Sequence, residues 1–287
     1  MTKQHYRDAS YLKDYQRCPE YARLRHHHGW SAPRSSPTAL DAGIAIHSGL
    51  AAYYRSGSTE LSLDAVRLAW HQWSVREKLE GTAFDITLPQ LESVIKSYIK
   101  YWTASRKRDD WEVLDVERYL EAEIAPGVPW CGILDLRVRT SSGVYTVDHK
   151  TTGNYFSANW WDIHHASIQQ VGYGALCRAL GMQWDGFMIN GIKIPNKKSN
   201  KIAFAEGQVQ KTPQWRIDDV ARTIERDLAT VPDDIDTEWA RREQGCYSWW
   251  RPCQFKPVCY AHPEIRPAKL AENYIVDHWI PKEKGTQ

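Results

Sequence analysis

The sequence predicts an α/β fold: a mixed central β-sheet flanked by helices, with a mainly helical N-terminal part and a cysteine-rich C-terminal segment. Three observations predict it. Through about residue 106 apolar positions recur at helical spacing, most clearly at Leu91, Val94, Ile95, Tyr98, Ile99 and Trp102. After Trp111 the period changes to two. VLDVERYLEAEI, WCGILDLRVR and GVYTVDHKTT are separated by APGVP and TSSG, the turn chemistry of a three-strand antiparallel meander. Beyond the meander the pattern runs helix, strand, strand, helix, as a mixed sheet with helices packed on it requires.

Taken in order, Ser10 is placed to cap a short helix through YLKDYQRCPEYARLR, with Cys18 on or near its inner face. Residues 26–38, HHHGWSAPRSSPT, read as a loop; three adjacent histidines cannot share one helical face and read as a solvated turn. Residues 39–54 are helical and carry His47. Ser62 is placed to cap a helix reaching about Glu80, and the next helix runs from about Pro89 to Arg106. Residues 160–180 read as helix, FMINGIKI and KIAFAE as two strands, and WRIDDVARTIERDLATV as a helix. The organisation that follows is a helical part over 1–110, a core over 111–231, a cysteine-rich segment over 232–262 and a charged, frayed tail over 263–287.

At 287 residues, with 42% hydrophobic and 25% charged content, the chain has enough material to bury a core of its own. A net charge of +2 excludes a global positive field, so affinity for nucleic acid would come from a local basic surface. No stretch approaches the roughly 20 apolar residues that span a bilayer, and the opening MTKQHYRDAS has no apolar core. The expectation is a soluble protein of a reducing cytoplasm, with no membrane partner. Fourteen tryptophans and fifteen tyrosines are unusual, but large amphipathic rings pack cores as readily as they stack on bases.

Alternation along WCGILDLRV puts Cys131, Ile133, Asp135 and Arg137 on one face. On the next strand Asp148 and Lys150 share a face, and His149 takes the other. If the two faces coincide, two carboxylates and an ammonium converge. Hard divalent cations take such oxygen ligands and leave positions for water and phosphate. A lysine beside them can offset charge developing on the phosphate. An Asp–Lys ion pair across an exposed sheet, worth about 0–1 kcal/mol, accounts for the same residues.

GILDL, the thirteen positions from Asp135 to Asp148, the triplet Asp148-His149-Lys150, and Gln169 with Tyr173 on the following helix form an ordered set. This set resembles the G-x-x-D, (D/E)-x-K and Q-x-x-x-Y motifs of the PD-(D/E)XK nuclease superfamily, nearest to its RecB-like branch. His47 matches that branch's early histidine. The resemblance covers roughly residues 10–262 and implies a restriction-endonuclease-like core. It implies Asp135 and Asp148 as ligands of Mg2+ or Mn2+, with His47 and the His149 backbone carbonyl as further ligands and Lys150 as the catalytic lysine. Gln169 and Tyr173, four apart on one helix face, would flank the site and touch substrate. Glu117 in DVERY matches a glutamate often found on the first strand. His149 departs from the pattern, since an apolar or aromatic residue is commoner there.

Cys246, Cys253 and Cys259 lie close together in CYSWWRPCQFKPVC, with Cys18 far upstream. Four thiolates can hold an iron–sulfur cluster or a zinc ion. The tight C-x-x-C pairs from which zinc ribbons are built are absent. One N-terminal and three C-terminal cysteines, with Cys18-Pro19, resemble the iron–sulfur staple of RecB-like nucleases, including the AddB helicase–nuclease subunit and the four-cysteine CRISPR-associated nucleases. The resemblance implies a 4Fe-4S cluster, with Zn2+ as the alternative, tying the first helix to the last segment. Disulfides are not expected in a reducing compartment, and Cys131 and Cys177 are expected in the core.

KIPNKKSNK puts Lys193, Lys197, Lys198 and Lys201 on a hairpin tip, which reads either as a solvated turn or as a set of phosphate contacts. Arg23, Arg25 and Arg34 are candidates for a path near the cysteines. The expected function is a magnesium- or manganese-dependent deoxyribonuclease. The resemblance alone implies its mode, an exonuclease acting on single-stranded or end-containing DNA in recombination, repair or spacer processing. G-x-x-x-x-G-K-[ST] is missing, so unwinding would need a helicase partner; a recombinase or integrase is the other partner class. The alternatives are a nuclease fold kept as a catalytically weak nucleic-acid-binding subunit, and a zinc-stabilised interaction protein.

Overall fold

A computed structural model describes residues 7–33, 39–77, 86–196, 199–248 and 251–278. Its first helix, α1 (Ala9–Arg17), is capped by Asp8, whose carboxylate accepts the Tyr11 N–H at 2.7 Å. Ser10 lies inside the helix, because the Asp8 cap is what turns Tyr11, Leu12 and Tyr15 onto the buried face. Cys18 is extended and ends α1, since helical backbone is disfavoured before Pro19; it is a junction to α2 (Pro19–Ala22). Residues 26–28 are not a solvated turn. One turn of π-helix spans Arg23–His27, and the buried His27 lies 3.1 Å from the Tyr11 hydroxyl. His26 pairs with Asp14 at 2.9 Å, and His28 lies 2.9 Å from the Ile235 carbonyl. A two-residue strand, β1 (Trp30–Ser31), follows.

Helices α3 (Ala39–Ser56), α4 (Thr59–Glu77) and α5 (Leu88–Ser105) bury Ile46, Leu50, Val66, Leu91, Ile95 and Tyr98 in one cluster. α4 starts earlier than its sequence suggests. Ser62 is fully buried within it, and its hydroxyl donates to the Gly49 carbonyl at 2.7 Å, joining α4 to α3. The expected end near Glu80 lies outside the described residues. Thr87 and Gln90 form a capping box at the start of α5.

The meander is formed by β2 (Glu112–Ala125), β3 (Val128–Thr140) and β4 (Gly143–Thr152), all antiparallel. The chain then crosses over through α6 (Ala158–His165) and α7 (Ile168–Ala179) and returns in β5 (Gly186–Lys193), parallel to β4. A parallel neighbour requires such a crossover. The helix expected over 160–180 is therefore two, with Ser167 capping the second through the Gln169 N–H. β6 (Ala203–Glu206) adds antiparallel to β5, giving the order β2-β3-β4-β5-β6.

On one face of the sheet α1, α7 and α8 (Gln214–Leu228) pack around Tyr11, Trp130, Leu134, Leu176 and Ile224. On the other face α3 and α5 cover Ile192 and Ile194. The sheet is thus mixed and flanked by helices, as the sequence predicts. After a hairpin of β7 (Tyr247–Ser248) and β8 (Arg251–Pro252) come α9 (Lys256–Cys259), α10 (Arg266–Asn273) and β9 (Ile275–Val276). As far as residue 278 the C-terminal segment is not a frayed tail. Tyr274 is buried beside Leu24, Phe255 and Val258, and β9 pairs with β1, Trp30↔Val276. Among the described residues no helix is long and apolar enough to cross a membrane.

Candidate active site

β3 and β4 pair from Thr140↔Gly143 up to Leu136↔Val147 and then part. Asp135 and Asp148 are the next residues on either side, so both carboxylates enter the opening. Asp135 Oδ2 accepts the His149 peptide N–H at 2.8 Å and lies 3.4 Å from His47 Nδ1 on α3. Glu117 comes from β2, between the pairs Val116↔Leu136 and Arg118↔Leu134. His47, Glu117 and Asp135 hold donor atoms all within 4.8 Å of one another. Glu117 has a φ of 49°, a left-handed backbone that costs an L-residue about 1–2 kcal/mol. Strain of this kind concentrates at functional sites.

Crowding sets the protonation states. Burial alone would raise the Asp135 carboxyl, but the His47 charge and hydrogen bond hold it well below the usual carboxylate range. Burial and then the Asp135 charge push Glu117 up to about 7. Burial alone would lower His47, but Asp135 and Glu117 carry it up to about 9. His149 is pushed down to about 3 by burial and stays neutral.

A second group adjoins the first. Lys150 Nζ lies 2.7 Å from Asp148 Oδ2 and donates to Gln169 Oε1 at 3.2 Å. Gln169 Nε2 in turn donates to the Tyr173 hydroxyl at 2.8 Å. Burial works against the Lys150 ammonium, yet the charges of Asp148 and Asp135 outweigh it and raise the lysine. Gly132 makes room for the far end of this chain: a Cβ there would stand 2.6 Å from Tyr173 Cε1. The fold thus joins His47, Glu117, Asp135, Asp148, Lys150, Gln169 and Tyr173 from five elements. A family model described as the PD-(D/E)XK nuclease superfamily matches residues 9–260.

The chain belongs to the PD-(D/E)XK nuclease superfamily. Among solved structures it is similar to a "putative exonuclease" from Eubacterium rectale. The two share 17% identity over 79% of this chain and 80% of that one, with a TM-score of 0.50, a likeness of fold. The crystal structure of SSO0001 overlaps 75% of this chain and 87% of its own at 16% identity, but its TM-score of 0.27 bears no weight. No curated protein matches the chain.

For a member of this superfamily, two features depart from the sequence expectation. Asp148 is not in the close donor group, because its carboxylate is turned to Lys150; Glu117 is in it. Behind the site lies a buried polar layer that spacing did not reveal. Asn190 Nδ2 lies 2.7 Å from His149 Nδ1 and donates to the Tyr98 hydroxyl at 2.8 Å. Arg108 donates to the Tyr54 hydroxyl at 2.6 Å, Asn190 Oδ1 at 3.1 Å and Glu206 Oε2 at 2.7 Å, with its guanidinium 3.5 Å above the Trp102 ring. Only Tyr54 carried a signal, standing seven residues and two turns from His47 on the same helix face.

The lysine run divides. Lys193 is corrected: it is the last residue of β5 and is buried, its ammonium donating to the Lys201 carbonyl at 2.9 Å and Ser199 Oγ at 3.3 Å. It braces the turn from inside and presents nothing to a phosphate. Lys201 is exposed, while Lys197, Lys198 and Arg34 lie outside the described residues. Arg23 is also turned inward, with two 2.8 Å bonds to Glu20.

Cys18, Cys246, Cys253 and Cys259 line one cavity of about 400 Å³, together with Tyr21, Arg241 and Phe255. Cys131 and Cys177 lie in the core as expected, and burial pushes their thiols up to about 12 and about 11.

Proposed function

We propose that the protein is a magnesium- or manganese-dependent deoxyribonuclease of the RecB-like type, an exonuclease acting on single-stranded or end-containing DNA. The observation that carries this reading is the donor group of His47, Glu117 and Asp135 set beside the Lys150–Asp148 pair. Carboxylate oxygens and one imidazole suit a hard divalent cation, and Asp148 and the His149 carbonyl would be the further ligands that the motif resemblance implies. Such an ion, when bound, polarises a phosphoryl oxygen and makes hydroxide available from water.

The chain's own residues do the rest. Asp135 stays ionised and is aimed by the His149 N–H and by His47. Lys150 stays an ammonium, so it offsets the negative charge that grows on the phosphate and does not act as a base. Gln169 fixes that ammonium, and Tyr173 fixes Gln169.

The four cysteines would hold a 4Fe-4S cluster. The shared cavity of about 400 Å³ supports a metal group that joins α1 to the C-terminal segment, and the motif resemblance supports iron–sulfur over zinc. The motif resemblance supports the exonuclease mode, the setting in recombination, repair or spacer processing, and a helicase, recombinase or integrase partner.

The test is cleavage of end-labelled single- and double-stranded DNA with manganese, magnesium or chelator, using anaerobically purified wild type beside Lys150→Ala. Metal-dependent shortening from ends, reduced about 10²–10³-fold in the variant, is expected. Equal activity in both proteins would overturn the catalytic assignment, and internal cuts would overturn the exonuclease mode. Zinc without iron by elemental analysis would replace the cluster.

A further inference from the structure

We propose that the outer face of α6, formed by Trp160, Ile163 and His164 with Tyr155 just before it, is a stacking platform for the bases of an unpaired nucleic-acid strand. This rests on the nuclease reading and names the form of substrate the site receives.

None of the eight residues of α6 is buried, as in α10, yet α6 carries two tryptophans and an isoleucine. A helix on a globular domain ordinarily sinks one apolar stripe into the core. This one seats only its inner aromatics. Phe156, just ahead of it, lies against Gly191, where a Cβ would meet the ring at 2.7 Å. Trp161 and His165, four apart, lie against Gly207, where a Cβ would meet them at 2.9 and 3.3 Å. Ile163 turns outward, and Trp160 and His164 lie half-buried at the rim of these rings, Trp160 5.0 Å from Phe156 and 4.6 Å from Trp161. Trp160 and His164 meet edge to face at 4.5 Å, Ile163 is 61% exposed and Tyr155 is 64% exposed.

The position of this ridge ties it to the site. Its chain leaves β4 two residues after Lys150 and enters α7 at the residue before Gln169, so both ends are fastened to the Lys150–Gln169 pair. Burial and then the charges of Lys150, His165 and Lys13 hold His164 down to about 4, and Lys193 Nζ lies 5.3 Å from the centre of the Tyr155 ring. Flat rings half or more open to solvent, next to cations, match a single strand, which offers base faces and phosphates together. A duplex keeps its base faces inside the stack and offers the ridge only phosphate and sugar.

The experiment measures affinity with calcium in place of the catalytic metal. The probes are a labelled oligothymidylate, an abasic strand of the same length and a blunt duplex. Wild type is expected to prefer the thymidylate. Trp160→Ala and Tyr155→Ala should each weaken thymidylate binding roughly 5- to 150-fold, leave abasic binding within about twofold, and be largely rescued by Trp160→Phe and Tyr155→Phe. Tyr155, being exposed, separates stacking from misfolding. Equal wild-type affinity for the thymidylate and abasic strands, or equal weakening of both by the variants, would overturn the platform. So would dimers that dissociate in the variants, since a second copy would then be what covers the ridge. Manganese-dependent cleavage is scored in parallel: cleavage without base dependence sinks this inference and leaves the nuclease reading standing. Base-dependent binding without cleavage does the reverse.

Discussion

Glu117→Gln is expected to stabilise the metal-free protein and to remove most of its response to metal. Burial and then the Asp135 charge carry the Glu117 carboxyl from 4.5 to about 7 in the folded state. An unfolded glutamate ionises above about 4.5, and the folded one does not until about 7. Each step in pH across that window therefore favours the unfolded chain. The cost is absent near pH 4 and complete above about pH 7. A shift of about 2.5 units, from 4.5 to 7, at 1.36 kcal/mol each corresponds to about 3 kcal/mol, and partial exposure lowers the working figure to about 2 kcal/mol. Glutamine keeps the shape and cannot ionise, so the variant should gain about 2 kcal/mol over wild type at pH 8 and nothing at pH 4. The assay is urea unfolding at both pH values in chelator, repeated with manganese. Wild type should gain about 2.7 kcal/mol at a hundred times its dissociation constant, and the variant much less. A variant no more stable than wild type at pH 8 would refute the reasoning. A gain of equal size at pH 4 would do the same, since it would reflect packing and not ionisation.

Metal affinity should rise with pH, because His47 with a pKa of about 9 must lose its proton to bind. The apparent manganese dissociation constant should fall about tenfold per pH unit from 7 to 9, and calorimetry showing a pH-independent constant would count against His47 as a ligand. Gly132→Ala forces a Cβ to 2.6 Å from the Tyr173 ring. Overpacking of about 1–3 kcal/mol, less the 0.4–1 kcal/mol that alanine gains through the unfolded chain, leaves a loss of about 1–2 kcal/mol. That loss should shrink in a Tyr173→Ala background, and one of undiminished size there would place the clash elsewhere. Asn190→Leu strips partners from His149, Tyr98 and Arg108 and should cost about 2–4 kcal/mol in urea melts; a loss below about 0.5 kcal/mol would show that the layer behind the site carries little.

Much of this architecture is legible because strands and catalytic spacing are both local patterns. The period-two segments gave β2 to β4, and the order of Asp135, Asp148, Lys150, Gln169 and Tyr173 named most of the residues that the fold brings together at the candidate site. What stayed hidden depends on burial, which local pattern does not carry. Ser10 and Ser62 have the right chemistry for caps, but Asp8 serves α1 and Ser62 is spent inside a helix contact. Lys193 sits in a lysine-rich run that reads as solvent-facing, yet every residue of β5 is buried, as strands with a parallel neighbour tend to be. Tyr98, Arg108 and Asn190 meet from α5, the turn that follows it and β5, and nothing in their spacing relates them.

The site follows from the way a mixed sheet has to open. β4 must remain in register with β5, to which it is paired through Asp148↔Ile189 and on to Thr152↔Lys193, while β3 continues with β2. The two partnerships diverge after Leu136↔Val147, so the amides of β4 beyond that point lose their neighbour on the β3 side. The His149 N–H is one of these, and it is satisfied by the side chain of Asp135 at 2.8 Å. One oxygen thereby stands in for a ladder bond and is fixed in direction before any ligand arrives. The opening is also the only place along β3 and β4 where carboxylates from adjacent strands can face each other without a ladder between them. Helices α3 and α7 close it from the two faces with His47 and with Gln169 and Tyr173, and Glu117 reaches it at the cost of a left-handed backbone. The strain and charge crowding are located where the sheet cannot close, which is why stability and metal response are expected to move in opposite directions when Glu117 is changed.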